Sequence, residues 1–68
     1  MQSTIHNRFE GTAIGIVRGT AISEADVKTG AGLMTSIVTT RSSDECELKV
    51  GDTVVAAVKA TSVFLEKA

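Results

Sequence analysis

Sixty-eight residues, 43% of them hydrophobic, make one domain spanning residues 1–68 and no second. Seven Lys and Arg against eight Asp and Glu give a net charge of −1, which excludes the basic surplus of a general nucleic-acid or anionic-membrane binder. A chain near this length buries only about 60% of its extended surface when folded alone. Phe9 and Phe64 are its only aromatics, and it has no cysteine pair to staple it, so its apolar content points to an obligate oligomer.

The single Cys46 cannot form an internal disulfide, which favours a reducing compartment. Met1, Gln2, Ser3 and Thr4 lack the basic and apolar regions of a signal peptide. No apolar run approaches the roughly 20 residues that cross a bilayer. The expectation is a soluble cytoplasmic protein.

Taken in order, residues 4–18 read as one long strand with apolar positions on both faces. Gly11 and Gly15 interrupt it, as a bulge or a close backbone approach would. Repeated glycines along a strand suit a small, highly curved barrel. Arg18-Gly19-Thr20 is a tight turn. Residues 21–28 alternate: Ala21, Ser23, Ala25 and Val27 fall on one face, and Ile22, Glu24, Asp26 and Lys28 on the other. That is a half-buried antiparallel strand. Thr29-Gly30-Ala31-Gly32 forms a hairpin loop, with no helix start after it to cradle a phosphate.

A third strand covers 33–40, and Ser42-Ser43-Asp44-Glu45 then fits a capping box, Ser42 as N-cap and Glu45 as N3 of a short helix ending near residue 48. Lys49-Val50-Gly51-Asp52 turns the chain into a fourth strand, 53–58, and residues 62–66 make a fifth. Five short strands with one helix between the third and fourth is the order of an OB-like barrel, mainly β.

The whole is organised around residues 52–66. Apolar residues there occupy consecutive positions, so both faces should be covered, the second by another subunit. Into this run the sequence sets Lys59, followed by Ala60, Thr61 and Ser62. An ammonium among Val and Ala is costly unless something negative meets it.

Enzyme chemistry finds little support. His6 and Cys46 share no local motif, and Cys46 lies in a capped helix beside two acids, where a small residue packing inward is the ordinary case. Glu24 and Asp26 lie on a solvated face. OB-like barrels bind single strands through aromatic platforms, and this chain has no Tyr or Trp to stack on a base. No carboxylate or thiolate set calls for a bare metal cation. A compact oxyanion fits better: Lys59, the amides of Ala60 and Thr61, Ser42 at a helix start, Thr39 before it, and Thr4 and His6 near the other end supply directed donors.

Asn7-Arg8-Phe9-Glu10-Gly11, Thr35-Ser36-Ile37-Val38, Leu48-Lys49-Val50-Gly51-Asp52 and Lys59-Ala60-Thr61-Ser62-Val63, in that order across essentially the whole chain, resemble a known family, the molbindins (Mop or TOBE-type domains). The first is similar to their opening Ser-Ala-Arg-Asn-Gln-Leu-Lys-Gly, and the second to their Thr-Ser-Ile-Ile. Leu48-Lys49-Val50-Gly51-Asp52 and Lys59-Ala60-Thr61-Ser62-Val63 resemble the family turn and its Lys-Ala-Thr-x-Val signature, the most specific of these motifs.

The resemblance implies cytoplasmic, non-enzymatic storage or buffering of molybdate or tungstate, with no organic cofactor, at subunit interfaces of a homo-hexamer built as a trimer of dimers. Carried over by position, the oxyanion site falls on Thr4, His6, Thr39, Ser42, Lys59 and Ala60. Two positions depart from the pattern. Thr4 replaces a Ser and keeps the hydroxyl. His6 replaces an Arg and does not keep a permanent charge. These departures leave room for a structural oligomer with altered or lost specificity, and the barrel for a single-strand binder.

Overall fold

The computed structural model describes residues 4–68; the reading of Met1, Gln2 and Ser3 as lacking a leader lies outside them. Four strands, β1 (Asn7–Arg18), β2 (Ile22–Thr29), β3 (Gly32–Thr39) and β4 (Thr53–Val58), form one antiparallel sheet in the order β3-β2-β1-β4. A short helix, α1 (Thr40–Glu45), follows β3, and a 3₁₀ turn (Ala60–Ser62) follows β4.

The glycines in β1 act as their spacing implies. The β1–β2 register slips between Ala13 and Gly15, leaving Ile14 as the bulge residue. At Gly11 the β2 backbone comes so close that a Cβ would collide with the Lys28 carbonyl oxygen. The length and bulge of β1 let it pair with β2 along its second half and with β4 along its first, from Asn7↔Val58 to Thr12↔Thr53. The sheet therefore curls, and both its edge strands, β3 and β4, line one cleft.

Alternation in β2 also holds. Ser23, Ala25, Val27 and Thr29 are buried, while Ile22, Glu24 and Lys28 face out. The β2–β3 hairpin turns through Gly30 and Ala31, closed by the Thr29 hydroxyl, which donates to the Gly32 carbonyl at 2.8 Å and accepts from the Ala31 amide at 3.1 Å. Gly32 takes φ +113, open to glycine alone at little cost.

The capping expectation is corrected by three residues. Thr39, not Ser42, is the N-cap: its hydroxyl accepts from the Ser42 amide at 3.2 Å. Glu45 sits in the last turn and binds Arg41 at 3.2 Å rather than closing a box. The reason is Thr40. Its amide donates to Ala21 O at 2.9 Å, and its buried hydroxyl donates to Gly19 O at 2.8 Å. With that proton committed, the Ser23 hydroxyl donates to Thr40 Oγ1 at 2.7 Å. This buried network ties the helix start to the β1–β2 turn and fixes the helix one turn early. The helix correspondingly ends at Glu45, with Cys46 as C-cap and Glu47 at φ 52.

The 49–52 turn is fastened to β1 at the bulge. Gly51, at φ +98, donates to Ala13 O at 2.7 Å, and Ala13 donates to Asp52 O at 2.9 Å.

The expected fifth strand does not form. Beyond Val58 the chain takes the 3₁₀ turn and then runs without strand pairing, with Phe64 87% and Leu65 94% exposed. Nor is β4 covered on both faces, since Val54, Ala56 and Val58 are half-buried but Thr53, Val55 and Ala57 are exposed. The buried hydrophobic core is Ala13, Ala25 and Val27. One chain simply has too little apolar volume inside to enclose both faces of its own sheet.

Candidate functional site

Strand β1 ends its pairing with β4 at Asn7↔Val58, secured by the Asn7 side-chain amide donating to Val58 O at 3.2 Å. One residue further out on each strand come His6 and Lys59. The chain then turns on itself, Ser62 donating to the Lys59 carbonyl at 2.9 Å, and this turn brings Ala60 and Thr61 round beside them. The result is a cleft of about 260 Å³ lined by Thr4, Ile5, His6, Lys59, Ala60 and Thr61.

Four of the six expected site residues, Thr4, His6, Lys59 and Ala60, meet there. Residues from opposite ends of the sequence are brought together by one antiparallel ladder. Thr61, the additional hydroxyl, belongs to the same Lys-Ala-Thr motif and is legible from it. Lys59 brings a positive charge, His6 an imidazole, and Thr4 and Thr61 hydroxyls; among the described residues no carboxylate lines the cleft. Among the described residues neither the Lys59 ammonium nor the His6 ring has a hydrogen-bond or ion-pair partner. A cleft of donors with positive charge and no built-in anion can take hydrogen bonds and charge from a small oxyanion.

Lys59 departs from expectation in one respect: in the single chain it is exposed rather than enclosed by apolar strands. It sits just past the end of β4, where the sheet no longer flanks it.

Thr39 and Ser42 do not join this group. They lie at the start of α1, exposed, with Thr39 Oγ1 donating to Ser42 Oγ at 2.8 Å. Ser42 lines a different and larger cleft of about 520 Å³, walled by both edge strands and α1, with Val27, Met34, Val38, Leu48, Val54 and Val58 among its apolar lining. Cys46, expected to pack inward, is instead exposed at the lip of that cleft. As the C-cap it has left the helix face that contacts the sheet.

Arg18 and Asp44 form a surface pair at 2.7 Å away from both clefts. Its hydrogen bond, and secondarily its charge, lower the Asp44 carboxyl and raise Arg18 from their ordinary values. Asp26 accepts from Thr35 at 2.8 Å across β2 and β3. Among the described residues no cluster of three or more His, Cys, Asp or Glu is placed to hold a metal ion, and no helix is long and apolar enough to cross a membrane.

Comparison with known families identifies a match to the TOBE domain over residues 3–65. The chain belongs to the TOBE-domain family. Solved structures agree with this TOBE assignment. A molybdate-binding protein from Sporomusa ovata is 30% identical with a TM-score of 0.92, covering 98% of this chain and 100% of its own. MopII from Clostridium pasteurianum, in an apo form, is 27% identical with a TM-score of 0.91, covering 97% and 100%. The cytoplasmic molybdate-binding protein ModG, with molybdate bound, is 34% identical with a TM-score of 0.82; the match covers 88% of this chain and 43% of ModG. No curated protein matches the sequence. The OB-like reading of the curled TOBE sheet is thus consistent with these relatives, with four strands in place of five.

Proposed function

We infer that this TOBE domain binds a tetrahedral oxyanion, molybdate or tungstate, without catalysing a reaction, and stores or buffers it in the cytoplasm. The observation that carries the reading is the cleft that joins Thr4, His6, Lys59 and Ala60 with no carboxylate among its lining. Molybdate binding by the Sporomusa protein and by ModG supports the choice of anion.

Thr39 and Ser42 enter the site from a second chain. In one chain they lie apart from the Lys59 cleft, and two hydroxyls that satisfy each other at an exposed helix start are free to turn toward an anion delivered by a neighbour. Lys59 is enclosed only in such an assembly, so a dianion and a partner surface together offset the cost of covering an ammonium.

Assembly is supported by what one chain leaves uncovered. Ile14, Val17, Ile22, Leu33, Ile37 and Val50 are each about half exposed or more, and the tail beyond residue 62 presents Val63, Phe64 and Leu65. The larger cleft, lined by two edge strands, is mostly apolar, as is this tail. A second copy's tail is the occupant proposed, each chain supplying the strand the other lacks. Three such dimers make the hexamer.

The test is native mass spectrometry of wild type and Lys59→Ala with sodium molybdate. Charge-assisted hydrogen bonds contribute about 1.5–3 kcal/mol each, so the variant should lose at least about tenfold in affinity with the assembly intact. Unchanged affinity would place the site elsewhere.

A further inference from the structure

Resting on that oxyanion reading, we propose that binding at the Lys59 cleft is proton-coupled: His6 takes up a proton from solvent as a doubly charged anion enters, and gives it back as the anion leaves.

The argument begins with charge. Among the described residues lining the cleft, Lys59 brings the one fixed positive charge, and histidine is the one residue type there that ordinarily switches charge near neutrality. A dianion set against one ammonium leaves a negative charge unbalanced. Within one chain, the group placed to balance it is the His6 ring, one residue beyond Asn7 as Lys59 is one beyond Val58 in the β1–β4 register, and both line the cleft.

The other groups around His6 do not substitute for it. Across the ladder, Lys59 is already spent on the anion. The 3₁₀ turn brings Ala60 and Thr61, and the chain before His6 brings Thr4 and Ile5, none of them ionisable near neutrality. Along β1, exposure alternates: His6, Arg8 and Glu10 are exposed, while Asn7 and Phe9 are half-buried, so Arg8 and Glu10 follow on the same side. Both lie farther along the strand and outside the cleft lining, and their charges are opposite. Arginine and glutamate are not side-chain types whose charge ordinarily switches near neutrality, so neither substitutes for the ring.

Among the described residues the His6 ring has no hydrogen-bond partner that would commit it to its neutral form before the anion arrives. An anion held against an imidazole favours its charged form. The coupling has a definite sign. A histidine side chain is charged more readily as pH falls. As pH rises, an anion held through the charged ring must bring a proton with it, and affinity falls by up to about tenfold per pH unit. The cleft releases its anion on alkalinisation. A permanently charged side chain at the same position would hold it regardless.

The experiment is isothermal calorimetry of sodium molybdate into the wild-type assembly at about pH 6, 7 and 8, bracketing the ordinary imidazole value. Each titration is repeated in buffers of different ionisation enthalpy, so that protons are counted directly. The expected result is uptake approaching one proton per anion on the alkaline side, with affinity falling as pH rises. His6→Arg should bind with no proton uptake and a flat profile. His6→Gln should bind more weakly and also flat.

A flat wild-type profile overturns the proposal, as does proton uptake that persists in His6→Gln, and both leave oxyanion binding standing. Wild type that binds no molybdate at any of the three pH values overturns the oxyanion reading itself.

Discussion

Phe64 offers the most direct test of how this chain completes itself. Its ring is 87% exposed in the single subunit, so it contributes almost nothing to the stability of one chain. If the tail of each copy fills the cleft between the edge strands of the other, that ring becomes buried. Burying a Phe side chain is worth about 1.5–3 kcal/mol. A two-fold exchange buries two such rings per dimer. Phe64→Ala should therefore weaken the dimer by about 3–6 kcal/mol, a rise of roughly 10²- to 10⁴-fold in its dissociation constant. The cleft side of the contact is apolar, so the loss should be insensitive to salt. Sedimentation velocity over a dilution series reads the effect, and Phe64→Leu, which keeps most of the apolar area, should restore most of it. A Phe64→Ala protein that dissociates at the same concentration as wild type would refute the reasoning and leave the cleft without its proposed occupant.

Two further outcomes follow from the hydrogen-bond geometry. Thr40→Val keeps the shape of the side chain but strands the buried Ser23 hydroxyl and the Gly19 carbonyl; it should cost about 1–3 kcal/mol in urea unfolding, with Thr40→Ser close to wild type. The Arg18–Asp44 pair lies exposed on the surface, so Asp44→Asn should shift the thermal midpoint only slightly at neutral pH and less at high salt. Because the folded Asp44 carboxyl is lowered, any difference between the two proteins is present above the ordinary carboxylate value of about 3.9 and disappears as pH falls through the lower, folded one, which thermal melts across acidic buffers would follow.

Much of the fold is legible because local rules agree with the tertiary outcome. The alternation in β2 forecasts its buried face, and the glycines of β1 forecast both the bulge before Gly15 and the close approach at Gly11. The Lys59-Ala60-Thr61 motif forecasts half of the cleft, and the family opening brings Thr4 and His6 to the other half. Two errors have one kind of cause. The helix begins at Thr40 rather than after Ser42, because a buried hydroxyl network with Ser23 and Gly19 outweighs a capping pattern of similar local merit. Residues 62–66 have strand composition but no strand, because a strand needs a partner edge as well as β-branched residues.

What the sequence determines by itself is the order of the first four strands and their turns, the presence of a short helix between the third and fourth, and the donor-rich chemistry of the Lys59 cleft, since these depend on periodicity, glycine placement and side-chain type. Only the tertiary structure decides that Lys59 stands exposed at the end of β4, that Thr39 and Ser42 are separated from the cleft that holds His6, and that the tail is left without an edge to join. These depend on where the curl of the sheet ends, and so on contacts between residues far apart in the chain. No local pattern encodes them.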